Sequence, residues 1–512
     1  MNDLVLTGRN LRLEDVLAFE AERPRVSLSE EARNRMDRSV RTVASVVKAD
    51  KPSYGINTGF GAFANQRISP AQVRALQLNL VRSHAAGVGD PLPAFLVRRI
   101  ILLKANSLAA GYSGIRSEVV DTLIEMLNAD VLPIIPSRGS VGASGDLAPL
   151  AHMTLALIGE GEAIHNGRRL EGPTVLASLD RSPITLEAKE GLALLNGTQV
   201  SAALAMAGLQ QTERLLLSAI LAGSLTLEGL AGSFAPFDAR IQEARGMEGQ
   251  RRVAALFRSL LGESEINRNH EDCDRVQDPY AVRCMPQVLG AVWDTLRHAA
   301  GVLAAECNGV SDNPLIFDGD VLSGGNFHAE PIALVSDFLA IATAEIGGMS
   351  ERRTDLLARR INPSLNMFLT DAPGLESGVM IAHVTAAALA SENKTLAHPA
   401  SVDSLPTSAG QEDHVSMAPW AGIKLLKICD NVASILAIEM LAGALAIDDQ
   451  RPLRTSERLE LLQRTLRESV PECPGDHRLD GEIATLSKMV RDGRLLHLIP
   501  DGRSGALDVD PR

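Results

Sequence analysis

The sequence predicts an all-α fold organised around a long central helical bundle, and three observations carry that prediction. Of 512 residues, 45% are hydrophobic but only 3% are aromatic, so a large core must be assembled chiefly from Ala, Leu, Val and Ile. That composition favours helices. Apolar residues recur at three- to four-residue steps through long stretches without loop signals, whereas alternating, strand-like stretches are few and short.

Taken in order, the first third is punctuated by Pro52, Gly55, Gly59, Gly61, Gly87, Gly89, Pro91 and Pro93, then by Pro133, Pro136, Gly139, Gly142 and Gly145, which concentrates loops there. Between them lie short amphipathic helices. One starts near Ser27 or Ser29 and carries Met36, Val40, Val43 and Val47 on one face. From 189 to 235 there is no proline, and Leu204, Leu209, Leu215, Leu216 and Ile220 predict one long helix. Similar stretches run over 285–306, 332–353, 375–396 and 423–447, and five long helices predict a bundle. The chain is therefore divided into a loop-rich, mostly helical part, 1–200, and a second part, 201–512, holding the long helices and a C-terminal helical region. Many Ala, Gly and Leu positions on these helices would be awkward on a monomer surface, which predicts that bundles from several subunits merge.

The formal net charge is −13, with Lys and Arg dispersed, which argues against nucleic acid as a partner. The start, MNDLVLTGRNLRLEDV, has acidic residues where a signal peptide has a basic segment. The longest uncharged stretch, 191–212, contains Asn196, Thr198, Gln199, Gln210 and Gln211, polar groups that are costly in lipid. No membrane span is expected. Cys273, Cys284, Cys307, Cys429 and Cys473 are widely spaced and form neither a disulfide framework nor a zinc motif, so a reducing cytoplasm is expected.

The most informative segment is IIPSRGSVGASGDLAPLAH, 134–152, with three glycines ahead of a helix that Asp146 and Pro149 could open. A loop with a helix cap is one reading. A phosphate cradle lacks its lysine, since the chain has no Gly-Lys pair, and a serine nucleophile lacks the Gly-x-Ser-x-Gly pattern.

With its Ala143-Ser144-Gly145 tripeptide, this segment resembles the aromatic amino acid ammonia-lyase and aminomutase family, and the resemblance extends over nearly the whole chain. It implies a fumarase/aspartase-like helical architecture. It also implies that Ala143-Ser144-Gly145 cyclises autocatalytically to 4-methylidene-imidazol-5-one. The Gly145 nitrogen would reach the Ala143 carbonyl, Ser144 would lose its hydroxyl, and two waters would depart. The electron-accepting group is then made from the chain itself, with no metal or exogenous cofactor. A helix opening near Asp146 or Leu147 would favour electron density arriving on that ring.

Other segments extend the resemblance. In SYGINTGFG, Tyr54 matches the tyrosine that takes the substrate β-proton. In LLNGTQ, Asn196 matches the asparagine that contacts the substrate carboxylate and the cofactor region; read alone, it is an amide satisfied inside the long helix. In VQDPYAVRC, Gln277, Tyr280 and Arg283 fall at i, i+3 and i+6, along one side of a helical segment. There Arg283 resembles the carboxylate-binding arginine, and the resemblance implies that Tyr280 assists proton traffic and that Gln277 binds the substrate. In GGNFHAEP, Phe327 matches the aromatic residue beside the cofactor. His328 and Glu330 are only two potential ligands, with no nearby third, and no metal is assigned.

Two segments bear on the substrate. RSHAAGVG, with Ser83 and His84, and TSAGQEDHVSM, with Gln411, Glu412, Asp413 and His414, resemble the histidine-specific branch more than the phenylalanine and tyrosine branches. His84 and Glu412 would hold an imidazole, whose N–H donors suit a carboxylate, while a phenyl ring would leave that carboxylate unpaired. Met285 and Gly410 depart from this branch, which has Gln and Asn there, and Cys307, Gly309 and His383 are atypical too. A histidine analogue, another aromatic amino acid or an aminomutase outcome is the alternative. A non-catalytic helical scaffold is the distant one. The resemblance further implies a homotetramer with shared active sites.

Overall fold

The computed structural model describes residues 3–49, 52–269, 275–473 and 475–500. Among them are nineteen α-helices and nine strands of two to four residues. The all-α expectation is met. The helix expected near Ser27 or Ser29 is Glu30–Ala49, preceded by Ser29, whose Oγ accepts from the Ala32 amide at 3.1 Å. Ser27 belongs to a short strand, Val26–Leu28, that pairs in parallel with Leu4–Leu6.

Contacts divide the chain into two units. The first comprises Met1–Ala207, Gly301–Ser336 and Pro399–Ile423, and the second Gly208–Ala300, Asp337–His398 and Lys424–Arg512. The first unit thus takes in two segments that lie beyond 201 in sequence.

In the first unit, the helix Ala94–Ala109 is buried from Leu96 to its end and packs on Ser117–Asn128. A second cluster, Val73–His84, Leu147–Leu157 and Glu190–Leu195, packs mutually. The Gln77 side chain joins two of its members, its Oε1 accepting from the Leu192 amide at 3.1 Å. Strands Val88–Pro91 and Pro136–Arg138 pair antiparallel, which brings the chain after His84 beside the chain leading to Ser140.

The second unit is a set of long helices packed through small residues, as the low aromatic content requires. A Cβ on Gly208 would meet Leu425 at 2.2 Å, and one on Gly229 would meet Ala446 at 2.6 Å. Ala382, Ala386, Ala390, Ile435 and Ile438 share one core cluster. Arg353 and Glu439 form a fully buried ion pair, in which Thr226 also donates to the carboxylate at 2.8 Å.

The predicted stretch 285–306 is the helix Met285–Glu306, and 375–396 corresponds to Met380–Leu396. The stretches 332–353 and 423–447 lie inside the longer helices Glu330–Ala358 and Ala418–Asp448. Those two are long and apolar enough to cross a membrane, yet 67% and 78% of their most apolar windows are buried inside the protein, as in core helices. Among the described residues, Cys284, Cys307, Cys429 and Cys473 are free thiols; Cys273 lies outside them.

Candidate active site

Three chain ends converge in the first unit because the three helices of the second cluster pack together. His84 is the last residue of Val73–His84, Ala143-Ser144-Gly145 lies just ahead of Leu147–Leu157, and Asn196 follows Glu190–Leu195. The single helix predicted over 189–235 is in fact two, Glu190–Leu195 and Gln199–Gly229. The break has a tertiary cause. Gly145 and Gly197 form a parallel bridge, and the Asp146 amide donates to the Gly197 carbonyl at 2.7 Å. Asn196 is extended there and Gly197 has φ 132°, outside any helix. The Asp146 carboxylate then accepts from the Ser201 amide and hydroxyl, both at 2.8 Å, in the first turn of the restarted helix. Burial pushes the Asp146 carboxyl above the usual range, against the pull of these donors.

One cavity is lined by Tyr54, His84, Ala143, Ser144, Asn196 and Glu412. Phe327 also lines it, so seven of the candidates named from sequence meet there. Ser144 Oγ donates to Glu412 Oε1 at 2.7 Å, and Thr407 Oγ1 donates to Glu412 Oε2 at 2.6 Å. Asn196 Nδ2 donates to the Ser144 carbonyl at 2.8 Å. Asn196 Oδ1 is buried with no hydrogen-bond partner among the described residues, an acceptor held open at the cavity wall. His84 Nδ1 lies 2.8 Å from the Leu80 carbonyl, which can only accept, so Nδ1 carries the proton and Nε2 keeps its lone pair. Burial holds the His84 imidazole below its ordinary pKa, favouring the neutral ring, while the Leu80 carbonyl and the Glu412 charge pull the other way. The Tyr54 phenol is raised by burial and, to a lesser degree, by the Glu412 charge, while the Gly61 amide donating to its oxygen opposes the rise.

Glu412 reaches the cavity because the loop before it is tightly coiled. Ser408, Ala409 and Gly410 have φ of 50°, 55° and 84°, and Thr407 and Glu412 bridge across them. Gly410 has open space where a Cβ would stand. Asn tolerates this left-handed region better than most residues. Gly410→Asn is therefore expected to keep the denaturation midpoint within the equivalent of about 0.5 kcal/mol, whereas Gly410→Val should cost about 1–2 kcal/mol, both read by urea unfolding. The departure from the branch pattern at this position is thus expected to be structurally neutral.

Beneath the cavity lies a buried polar layer that sequence reasoning missed. Lys104 Nζ donates to the Asn196 carbonyl at 2.6 Å, and Lys189 Nζ pairs with Asp312 at 2.7 Å. Burial lowers the Lys104 ammonium to about 7. Thr198 Oγ1 donates to Glu306, whose carboxyl burial raises to about 7. The available signal was a lone lysine in the apolar run IILLKANSLA, since a charge in a helix buried all round needs a partner.

Gln277, Tyr280 and Arg283 belong to the second unit and are not among the residues lining this cavity. Their expected placement along one helical side is corrected. Only Tyr280–Arg283 is helical, and Gln277 sits in a bend before it, since Pro279 opens the helix and the Asp278 carboxylate accepts from the Ser233 amide at 2.7 Å. The Arg283 guanidinium lies over the exposed Tyr280 ring, 4.6 Å from its centroid, and its buried Nε has no hydrogen-bond partner among the described residues. Among the described residues lining the cavity, none is Lys or Arg. His328, Glu330 and His414 have ligating atoms within 4.8 Å of one another, and the two histidines line the cavity. His414 is the third potential ligand that sequence proximity did not reveal.

Fold and site together define an aromatic amino acid lyase: the chain belongs to that family, whose sequence profile matches residues 11–468. Within the family it is similar to the histidine ammonia-lyase of Rhodospirillum rubrum, 53% identical over 501 residues that cover 97% of this chain and 98% of the relative. The histidine ammonia-lyase of Burkholderia mallei is 52% identical over 499 residues, with the same coverage. Among solved structures, the histidine ammonia-lyase from Trypanosoma cruzi matches with a TM-score of 0.91 at 38% identity, over 100% of this chain and 99% of its own. A tyrosine aminomutase from Streptomyces globisporus also reaches 0.91, at 33% identity over 100% of both chains.

Proposed function

We propose that this chain is a carbon–nitrogen lyase acting on L-histidine, a histidine ammonia-lyase that releases ammonia and trans-urocanate and so opens histidine breakdown. The observation that carries this reading is the contact of Ser144 Oγ with Glu412 at 2.7 Å, in a cavity that His84, Tyr54 and Asn196 also line. The relatives named histidine ammonia-lyase at 52–53% identity support it.

The tripeptide fits the cyclised group expected of it. Gly145 has φ 73° and no room for a Cβ, Ala143 is buried, and the Ser144 hydroxyl is held by a carboxylate. Once formed from Ala143-Ser144-Gly145, 4-methylidene-imidazol-5-one supplies an electrophilic carbon that takes up electrons from the substrate. The residues around it bind and orient. The bare Nε2 of His84 accepts one N–H of the substrate imidazole, and the Glu412 carboxylate accepts from the other ring nitrogen when that is protonated. The open Oδ1 of Asn196 accepts from the substrate amine. Tyr54 Oη receives the β-proton, a step that needs its raised phenol to be brought down in the complete site.

The cation for the substrate carboxylate is Arg283, with Gln277 and Tyr280 beside it. We propose that they reach the site in a homotetramer with shared active sites. Exposed apolar side chains in the second unit, Phe338 and Ile341 on one helix and Ile381 and Val384 on another, support burial by further copies. A cytoplasmic location is proposed with it.

The test is the near-ultraviolet appearance of urocanate from L-histidine, with L-phenylalanine and L-tyrosine run in parallel and Ser144→Ala as control. Urocanate from L-histidine alone, lost in Ser144→Ala, is expected. A β-amino acid product would indicate an aminomutase, and no product from any of the three would overturn the substrate assignment.

A further inference from the structure

His328, Glu330 and His414 are left unused by the reaction above, and their arrangement has the features of a cation site. His328 and Glu330 flank Ala329 where the chain enters the helix Glu330–Ala358, and His414 follows Glu412 by two residues on a separate loop. Their ligating atoms lie within 4.8 Å of one another. Two imidazoles and one carboxylate form a donor set suited to zinc-class divalent cations.

The ring tautomer of His328 follows from a neighbour. His328 Nε2 lies 3.2 Å from the His414 carbonyl oxygen, which only accepts, so Nε2 carries the proton and Nδ1 keeps a free lone pair. An N–H donated to a backbone carbonyl is the contact that orients metal-ligating histidines. The two rings are parallel within 5°, with centroids 5.6 Å apart. Donors at about 2.1 Å from a tetrahedral zinc stand roughly 3.4 Å apart, so the set must close by up to about 1.4 Å. The exposed His414 side chain can supply that movement by a torsional change. Charge points the same way. Glu412 and Asp413 line the same cavity.

We propose that His328, Glu330 and His414 form a site for a zinc-class divalent cation at the cavity wall. Three protein ligands leave a coordination position for water or for a nitrogen or carboxylate donor of a small molecule. The site does not depend on L-histidine being the substrate.

The test is titration of the purified full-length protein with Zn2+ by calorimetry, and with Co2+ by visible absorption. One ion per chain is expected, with a Co2+ spectrum of nitrogen and oxygen ligation and no thiolate charge-transfer band. Both His414→Ala and Glu330→Gln should weaken Zn2+ binding at least about 100-fold. His414 is exposed, so its truncation leaves the fold intact and makes it the decisive variant. Unchanged affinity in both variants, a thiolate-type Co2+ spectrum, or the absence of a saturable one-per-chain site would each overturn the proposal.

Discussion

Gly145→Ala is expected to abolish turnover and to leave the purified chain heavier than wild type by the two waters that cyclisation removes, on top of the one methylene that alanine adds. A Cβ built on Gly145 would stand 2.2 Å from the Gly197 carbonyl oxygen and 2.5 Å from its carbon, and neither atom can withdraw cheaply. The Gly197 carbonyl is held by the Asp146 amide at 2.7 Å, and a Cβ on Gly197 would in turn strike Gln199 at 2.5 Å. The φ of 73° at Gly145 adds backbone strain for alanine on top of the collision. Alanine must push the loop away from Asn196, and with it the nitrogen that has to reach the Ala143 carbonyl. Loss of the electrophile should lower the rate by at least about 10^4-fold, since little else in the site activates the amine as a leaving group. Intact-mass spectrometry and urocanate formation read the two effects separately. A variant that still lost both waters would show that this close backbone approach is dispensable for cyclisation.

The same contact explains which parts of the site were legible in the sequence. Ala143-Ser144-Gly145 could be read because its chemistry is local, and the helix Met285–Glu306 because periodicity reports on one helix at a time. The break at Asn196 could not. Residues 189–235 are helical in pattern throughout, and the reason for the interruption is an amide at Asp146 that needs the Gly197 carbonyl, 51 residues further along the chain. Similarly, His414 stands 84 positions after Glu330, and only the folded chain shows the three ligands as one group. The return of 301–336 and 399–423 to the first unit follows from contacts that no local pattern encodes. Gln277 falls off the helix face that i, i+3 spacing predicts because Pro279 caps the helix and Tyr280 is its first residue.

Lys104→Met is expected to lower kcat/KM about 100-fold while making the protein more stable at neutral pH than the loss of a hydrogen bond would suggest. Lys104 does not reach the cavity; its Nζ holds the Asn196 carbonyl at 2.6 Å, and Asn196 holds the Ser144 carbonyl at 2.8 Å, so it acts as a positioning residue through the asparagine. Methionine fills similar volume but gives Asn196 no donor, and a loosened amide misplaces its two contacts at once. The pH dependence separates this role from a merely structural one. Burial brings the Lys104 ammonium down to about 7 from an unfolded value near 10.5, so between those values the unfolded chain binds the extra proton. Folding stability from this group therefore rises with pH through that window, by about 2 kcal/mol between pH 7 and pH 9. The Glu306 carboxyl, raised to about 7, acts in the opposite sense: stability is lost as pH climbs from about 4.5 through 7 and levels off about one pH unit higher. Denaturant unfolding at pH 7 and pH 9 should thus show wild type gaining on Lys104→Met as pH rises, and Glu306→Gln should leave that gain in place, slightly enlarged, because only the last part of the Glu306 titration falls in that range. If kcat/KM were unchanged in Lys104→Met while the stability difference followed this course, the lysine would be a tolerated buried base with no hold on the catalytic geometry. A fall in kcat/KM at both pH values, including where the amine is already neutral in the folded protein, would show that its hydrogen bond to Asn196, and not its charge, keeps the site in register.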